Sequence, residues 1–337
     1  MGKKIRIFDS TLRDGMHAVS HQFTPDDMAE IAAGLDRAGV DTIEIGHGDA
    51  LGGSSYQYGF SAASDAEYLQ AVSKVLHKAK LGVMLIPGIG TMEELRVAAH
   101  YGAKVARIAT HVTETDIGEQ HIQLAKDLGM EAIGFLMMTH MVDSEKVVEQ
   151  AKLFESYGAE AVYITDSAGA LTPHGVSERV KAVKAAVKIP VGHHAHNNLS
   201  LAIANSIAAV EAGADLIDGT CRGLGAAAGN APIEVLTAVF NKLGYETGID
   251  LYTIMDVAED IVAPKMKRPP TLDKAALSIG YAGAYGSFLL HALRAAEIFK
   301  VDPRDILIEM GRRKTVGGQE DMILDVAYEL SLNKSSV

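Results

Sequence analysis

The stretch Ser156–Thr165, S-Y-G-A-E-A-V-Y-I-T, carries the pattern from which the fold of this chain can be predicted. Its glycine follows an amphipathic segment, and a short apolar run with β-branched residues begins a few positions later. Glycine at the C′ position accepts the left-handed backbone that ends a helix. A short run that is apolar throughout is typical of a parallel strand buried on both faces. The stretch therefore predicts the end of a helix followed by a buried strand.

The same pattern recurs along the chain and indicates repeated βα units. Four further copies lie at Asp36–Gly46, His100–Ala109, Asp127–Met137 and Glu211–Thr220. Three more strands are predicted without the full pattern, at Ile5–Phe8, Gly82–Ile86 and Ile189–His193. Eight strands, each followed by a helix, predict an α/β fold of the (β/α)8 TIM-barrel type. An open doubly wound sheet is the alternative, and the absence of a dinucleotide-binding fingerprint favours the barrel.

The alternation of predicted strands and helices ends after Leu243, and the remaining sequence predicts helices alone. These helices are expected at Leu272–Phe299, as one long helix or two, at Pro303–Gly311 and at Gln319–Leu330. We therefore predict a catalytic barrel over residues 1–245 and a helical C-terminal extension over residues 246–337. The small-residue segment Gly280–Gly286 would let the extension lie close to the barrel, cover its mouth and dock a partner.

Composition restricts the class of protein. Charged residues make up 22% and apolar residues 48% of the 337, which is typical of a soluble globular chain. Lys and Arg number 31 against 43 Asp and Glu, so the net charge of −12 argues against nucleic-acid or anionic-membrane binding. Cys221 is the only cysteine, which excludes an intrachain disulfide and suits a reducing compartment. No apolar run approaches membrane-spanning length, so we expect a cytoplasmic protein.

Polar residues follow the first and seventh predicted strands, at the barrel end where active sites of this fold lie. The first strand leads into F-D-S-T-L-R-D-G-M-H, Phe8–His17, and the seventh into H-H-A-H-N-N, His193–Asn198. Residues two apart on a strand face the same side, so His194 and His196 can both face the barrel axis. Only strand 8 separates strands 7 and 1 in a closed barrel. We therefore predict that these histidines and Asp14 bind one metal ion.

Two histidines and one carboxylate leave coordination positions open for a substrate. The same ligand set binds ferrous iron in oxygenases, so the residues alone do not identify the metal. Strands 5 and 6 end without a lysine, which argues against a Schiff-base aldolase. Asp166 and Asp218 are expected to orient loops or metal ligands. His21 and His47 are interpreted as solvated or core histidines, and the loop after strand 2 as either a lid or a mobile surface loop.

These motifs resemble a TIM-barrel superfamily of aldolases and synthases. The resemblance rests on S-T-L-R-D-G at Ser10–Gly15 together with the H-x-H-N after strand 7. Its members include isopropylmalate and homocitrate synthases, hydroxymethylglutaryl-CoA lyase and the 4-hydroxy-2-oxovalerate aldolases. Met16-His17 resembles the last group, since the acetyl-CoA synthases typically carry an acid and a glutamine there. Further similar motifs are H-G-D-A-L-G-G-S-S (His47–Ser55), G-F-L-M-M (Gly134–Met138), D-S-A-G-A-L (Asp166–Leu171), Y-A-G-A-Y (Tyr281–Tyr285) and G-G-Q-E-D (Gly317–Asp321).

The resemblance implies an activity and roles for individual residues. The implied reaction is metal-dependent retro-aldol cleavage of 4-hydroxy-2-oxovalerate or 4-hydroxy-2-oxohexanoate to pyruvate and a short aldehyde, in aromatic or steroid catabolism. Mn2+ is the implied ion, with other divalent cations possible, and it would chelate the substrate. Arg13 would neutralise the enolate oxygen, and His17 would take the proton of the C4 hydroxyl. Tyr285 would reach over the site, and Ser167 and His194 would also contact the substrate.

The resemblance also implies a hetero-oligomer with an acylating acetaldehyde dehydrogenase that receives the aldehyde by channelling. Two alternatives stay open at this point. An acyl-CoA-dependent 2-oxoacid synthase would use the same metal ligands, although Met16-His17 argues against it. A non-catalytic barrel that only stabilises a dehydrogenase would have no use for the acid, guanidinium and imidazole at the strand ends.

Overall fold

The computed structural model describes residues 2–286 and 288–334 of the chain. Its centre is a closed barrel of eight parallel strands in sequential order. The strands are β1 (Arg6–Asp9), β2 (Thr42–Ile45), β3 (Lys80–Leu85), β4 (Val105–His111), β5 (Glu131–Met137), β6 (Ala161–Asp166), β7 (Val191–Ala195) and β8 (Leu216–Gly219). The barrel closes between β1 and β8, where Arg6 pairs with Leu216 and Asp9 with Gly219. The predicted (β/α)8 fold is confirmed.

A helix follows each strand and covers the outside of the barrel. These helices are α1 (Pro25–Ala38), α2 (Asp65–Ser73), α3 (Met92–His100), α4 (Glu119–Asp127), α5 (Ser144–Ser156), α6 (Pro173–Ala186), α7 (Ala202–Glu211) and α8 (Ile233–Leu243). Several begin at a capping box, in which a hydroxyl and an acidic side chain satisfy each other's backbone N–H groups. At α1, for example, Thr24 accepts from the N–H of Asp27, whose carboxylate accepts from the N–H of Thr24.

Strand β7 begins two residues later than the sequence pattern suggests, at Val191 rather than at Ile189. Pro190 has no N–H to donate to a ladder, and it contributes only its carbonyl, which accepts from the N–H of Val162 at 3.0 Å. The shift places His194 inside the strand. His196 therefore lies just beyond the strand, at the open end of the barrel.

The chain continues after the barrel as a set of helices. They are α9 (Leu251–Asp256), a π-helical turn (Val257–Val262), α10 (Lys274–Ala282), α11 (Phe288–Phe299), α12 (Pro303–Arg312) and α13 (Met322–Lys334). The segment Leu272–Phe299, which was predicted as one long helix or two, forms two helices. The first of them, α10, ends at Gly283, whose φ of 63° is left-handed. Helices α10 to α13 share a small apolar core that includes Phe288, Ile306 and Val326.

The extension lies directly on the loop that follows β7. A Cβ added to Gly280 would approach backbone atoms of Asn198 to about 3.1 Å, closer than ordinary side-chain contacts. His140, beyond β5, also hydrogen-bonds the carbonyl of Gly283 through its Nε2 at 2.9 Å. Small residues at the start of the extension thus allow a close approach to the barrel mouth. Within the described ranges, no helix is both long and apolar enough to cross a membrane.

Candidate active site

A cavity of about 510 Å³ opens at the C-terminal ends of the strands. Every residue predicted from the sequence to bind the metal, take part in catalysis or contact the substrate lines this cavity. These residues are Arg13, Asp14, His17, Ser167, His194, His196 and Tyr285. Methionine and aromatic side chains, including Met84, Phe135 and Met137, form part of its apolar wall. The structure therefore brings together groups from β1, β6, β7 and the C-terminal extension.

The turn after β1 places two of these residues side by side. Asp9 ends the strand and accepts hydrogen bonds from the backbone N–H and the hydroxyl of Thr11, at 2.9 and 2.8 Å. A short 3-10 helix then runs from Asp14 to Val19. Side chains three residues apart are nearly eclipsed in a 3-10 helix. Asp14 and His17 consequently lie on the same side, towards the cavity.

Asp14, His194 and His196 form a compact and buried group with ligand atoms from each residue close together. Oδ2 of Asp14 lies 3.3 Å from Nε2 of His194 and 3.4 Å from Nε2 of His196. These spacings match the roughly 3.4 Å between ligand atoms around a tetrahedral ion with bonds of about 2.1 Å. The same Oδ2 is buried and has no hydrogen-bond partner among the described residues. The donor set therefore fits a divalent cation.

The second nitrogen of His194 is fixed by Asp218, at the end of β8. Nδ1 of His194 donates to Oδ2 of Asp218 at 2.7 Å, because a carboxylate can only accept. Nε2 is then left to face Asp14 with its lone pair, which is the arrangement found at many metal-bound histidines. Burial lowers the pKa of His194, but its contacts with Asp14 and Asp218 outweigh burial and raise it overall. The two carboxylates thus favour positive charge at this point, which a proton on Nε2 supplies without a metal and which a bound cation would supply in its place.

Asp14 and His196 are in the protonation states in which they can bind a cation. Burial alone would raise the pKa of Asp14, but Arg13, His196 and His194 hold it well below the usual range for aspartate. Burial lowers the pKa of His196 to about 4, so this imidazole is neutral near pH 7. A carboxylate and a neutral imidazole both offer lone pairs to a cation without first losing a proton.

Arg13 is held rigidly beside the group. Its Nε donates to Oε2 of Glu44 at 2.8 Å, and its NH1 donates to the carbonyl of Gly48 at 3.3 Å. NH1 also lies 3.5 Å from Oδ2 of Asp14. The guanidinium is almost fully buried and lines the cavity. It therefore presents a fixed positive charge next to the place where a cation would bind.

Arg107 connects the residues that hold this arrangement, and the sequence analysis did not identify it. Its Nε and NH2 donate to the two oxygens of Glu44 at 2.7 and 2.6 Å, and its NH1 donates to Asp218 at 2.6 Å. Its guanidinium also packs over Phe135, 4.8 Å from the ring centre. One signal was available, since both Glu44 and Arg107 interrupt otherwise apolar strands. That pattern indicates buried charges that must pair.

His17 lies at the more open side of the cavity, with 26% of its side chain exposed. Its Nε2 is 4.0 Å from Oδ2 of Asp49, and its ring meets that of His21 edge to face. His21 and His47 are both buried and stack at 3.8 Å between ring centres. Their burial agrees with the interpretation of these two as core histidines, and His21 in addition lies directly beside His17.

Tyr285 reaches the cavity from the segment between α10 and α11. Its ring packs edge to face against His111, with centres 5.6 Å apart. A Cβ on Gly317 would come within 3.0 Å of this ring, so the G-G-Q-E-D segment also packs against it. Burial raises the pKa of Tyr285, and the phenol keeps its proton near neutral pH. The extension thereby contributes a hydrogen-bond donor to the barrel site.

Comparison with known proteins identifies relatives of the whole chain. Residues 4–261 match the family model HMGL-like, and residues 270–332 match the model of a DmpG-like communication domain. A 4-hydroxy-2-oxovalerate aldolase of Carboxydothermus hydrogenoformans is 75% identical over 98% of both chains. The protein of the same name from Moorella thermoacetica is 64% identical over 98% of this chain and 97% of its own.

Solved structures share the fold at much lower identity. The carboxyl transferase domain of Rhizobium etli pyruvate carboxylase, determined with pyruvate, aligns with a TM-score of 0.81 at 17% identity. The alignment covers 98% of this chain and 62% of that one. HMG-CoA lyase of Bacillus subtilis aligns with a TM-score of 0.69 at 20% identity, over 80% of this chain and 96% of its own. These similarities concern the fold alone.

The Arg107 network generates a first prediction. In Arg107→Met, Glu44 and Asp218 lose their shared partner and stay buried as carboxylates. We expect the free energy of unfolding, measured in urea, to fall by about 3–5 kcal/mol. Affinity for a divalent cation should fall by roughly 10–100-fold, since Asp218 would lose the partner that positions it against His194. Arg312→Met, which removes an exposed partner of Glu309, is the matched control and should change neither. Unchanged stability and cation affinity in Arg107→Met would contradict this account of the network.

Proposed function

The chain belongs to the 4-hydroxy-2-oxovalerate aldolase family of HMGL-like barrels, and we propose that it cleaves 4-hydroxy-2-oxoacids to pyruvate and a short aldehyde. Such a reaction breaks the C3–C4 bond, leaves a pyruvate enolate and removes the proton of the C4 hydroxyl. Substrates of five or six carbons, 4-hydroxy-2-oxovalerate or 4-hydroxy-2-oxohexanoate, suit the cavity of about 510 Å³. The observation that carries the proposal is the buried Asp14, His194 and His196 group beside Arg13 and His17 in this family context.

We propose Mn2+ as the resident ion, held by Asp14, His194 and His196. The carboxylate of Asp14 suits Mn2+, and the two imidazoles also suit other divalent cations, so the choice of Mn2+ rests on the family resemblance. A bound cation supplies Lewis-acid polarisation of the carboxylate and ketone oxygens of the substrate. Asp218 keeps His194 in the tautomer that such binding requires, because it accepts the Nδ1 proton.

Arg13 is the proposed stabiliser of the enolate oxygen. Its guanidinium is fixed by Glu44 and the carbonyl of Gly48, so it does not need to reorganise when negative charge develops. Within the described part of the chain, no lysine lines the cavity. A covalent imine is therefore not available from a lining side chain, and the negative charge must be stabilised electrostatically.

His17 is the proposed base for the C4 hydroxyl. It lines the cavity next to Arg13 and Asp14, and part of its ring is accessible from the open side. An imidazole can accept the proton of a hydroxyl through a ring nitrogen and pass it on, which suits this step. Tyr285 and Ser167 line the same cavity and are proposed to contact the substrate, Tyr285 as a protonated donor that also shields it from water.

The C-terminal extension is proposed to be the docking unit. We divide the chain into a catalytic barrel, residues 1–245, and an extension, residues 246–337, that covers the barrel mouth and associates with an acylating acetaldehyde dehydrogenase. The match to a communication domain over residues 270–332 supports this assignment. The extension also exposes large apolar side chains, including Ile298, which is 66% exposed, and Leu324, which is 50% exposed. Direct transfer would keep a reactive aldehyde from escaping into solvent.

Pyruvate release from 4-hydroxy-2-oxovalerate tests the proposed function. We expect release with Mn2+, loss in EDTA, and no dependence on acetyl-CoA. His196→Ala should lose both cation and activity while its circular dichroism stays native, because one of three ligands is gone. His291→Ala is the control, since His291 lines the same cavity outside the metal group and the variant should keep its cation. Full activity in EDTA, or stoichiometric metal in His196→Ala by elemental analysis, would contradict the assignment.

The roles of Arg13 and His17 separate in two assays. Exchange of the C3 protons of pyruvate with solvent needs enolate formation but no deprotonation of a C4 hydroxyl. We expect exchange to persist in His17→Ala and to fail in Arg13→Ala, while cleavage falls by about 10²–10⁴-fold without the base. Proton NMR in deuterated buffer measures the exchange. Equal loss of exchange in both variants would refute this division of roles.

Co-purification tests the docking surface. Ile298→Glu and Leu324→Glu place charges on exposed apolar positions of the extension and should reduce capture of a co-expressed acylating acetaldehyde dehydrogenase. Val235→Glu changes a comparable exposed position on α8 of the barrel, where the side chain is 40% exposed, and should leave capture unchanged. If neither extension variant alters capture, these side chains are not part of the interface.

A further inference from the structure

A second cluster of possible metal ligands lies at the rim of the active-site cavity. It consists of His17, His21 and Asp49, whose ligand atoms all lie within 4.8 Å of one another. None of these residues belongs to the Asp14 group. His17 comes from the 3-10 helix after β1, His21 follows that helix, and Asp49 lies on the loop after β2. Three separate positions of the chain thus converge on one point.

The cluster is supported from behind by His47. The Nε2 of His47 donates to the carbonyl of Gly59 at 3.1 Å, and its Nδ1 accepts from the backbone N–H of Asp49 at 3.0 Å. Both ring nitrogens of His47 are therefore occupied, and the ring fixes the backbone of Asp49. The same ring stacks on His21 at 3.8 Å with an angle of 16° between the planes. His47 is consequently a support for two of the three residues rather than a ligand.

The side chains of the cluster are in a state that can bind a cation. Burial and the neighbouring His17 lower the pKa of His21 to about 4, so this imidazole is neutral near pH 7. The only hydrogen bond assigned to its ring among the described residues is a long one, 3.4 Å from the N–H of Gly48 to Nδ1. Asp49 and His17 remain partly exposed at the cavity rim, with 15% and 26% of their side chains accessible. A cation can therefore reach all three groups from solvent.

We propose that His17, His21 and Asp49 form a second, inhibitory site for late first-row dications such as Zn2+. Two imidazoles and one carboxylate favour Zn2+, Co2+, Ni2+ or Cu2+ over Mn2+ in the usual affinity order. The Asp14 group has the same donors, so an excess of Mn2+ is needed to keep that group filled while Zn2+ binds at the rim. The separation of Nε2 of His17 from Oδ2 of Asp49 is 4.0 Å, against 3.3 and 3.4 Å in the Asp14 group. The rim cluster must contract to bind, so its affinity is lower than that of the primary group.

The consequence for activity rests on the proposed function of His17. A cation bound at the rim occupies the imidazole lone pair that would take the proton of the C4 hydroxyl. Cleavage should therefore stop while pyruvate proton exchange, which does not use His17 in this scheme, continues. Displacement of Mn2+ from Asp14, His194 and His196 would instead abolish both reactions. The two modes of inhibition are thus distinguishable in the same preparation.

The test uses the full-length protein in an excess of Mn2+ that keeps the Asp14 group filled, titrated with Zn2+. Mn2+ retention is followed by electron paramagnetic resonance, and bound Zn2+ by equilibrium dialysis with elemental analysis. In the unaltered protein we expect one Zn2+ bound per chain with Mn2+ retained. Zn2+ binding should be at least about 10-fold weaker in His21→Gln and in Asp49→Asn. The control His291→Gln should bind Zn2+ as the unaltered protein does. Circular dichroism confirms that each variant is folded, and the two variants alter different segments.

Three results would overturn the proposal: release of one Mn2+ for each Zn2+ bound, wild-type Zn2+ affinity in both cluster variants, or equal inhibition of cleavage and exchange while Mn2+ is retained. The release of Mn2+ is measured on the unaltered protein, so this result tests the proposal even if a variant misfolds. Zn2+ uptake does not depend on catalysis. If the Mn2+ protein released no pyruvate but bound Zn2+ as described, the proposed function would fail and the rim site would stand.

Discussion

The buried guanidinium of Arg107 is the interaction on which the site depends. It lies inside the barrel and joins Glu44 on β2 to Asp218 on β8, with contacts of 2.6 to 2.7 Å to both oxygens of Glu44 and to Oδ2 of Asp218. Isolated charges in this position would be strongly unfavourable, so the three groups are stable only together. Each carboxylate then has a further partner, Arg13 for Glu44 and His194 for Asp218. One charge network therefore orients both the positive and the metal-binding side of the cavity.

This network also explains the division of charge in the cavity. Arg13 and Arg107 offset two of the three carboxylates Glu44, Asp14 and Asp218, which leaves the local balance negative by one charge when the imidazoles are neutral and no cation is bound. The unpartnered Oδ2 of Asp14 faces two imidazole nitrogens at the point where that excess is concentrated. A divalent cation there would make the site net positive, which suits an anionic oxoacid. The overall charge of −12 consequently does not prevent binding of an anion, because the local charges decide it.

The C-terminal extension has a structural relation to this site as well as a proposed docking role. Gly280 allows α10 to lie on the loop that follows His196, and Gly283 ends the helix so that Tyr285 can turn into the cavity. Gly317 then packs against the ring of Tyr285. Any partner bound to α11 or α13 would act on helices that share a core with Ala284, next to this tyrosine. The proposed substrate shielding and the proposed partner binding thus fall on the same segment.

The sequence by itself determined the barrel, because helix ends marked by glycine and short apolar strands are local patterns. It also determined that Asp14, His194 and His196 would meet, since the topology places strands 7 and 1 one strand apart. It could not pair Glu44 with Arg107, 63 residues away, or Arg107 with Asp218, 111 residues away. Those contacts depend on strand register and on which side chains point inward at one level of the barrel. Likewise, only the folded loops place His21 and Asp49 beside His17, because no local periodicity relates residues on separate loops.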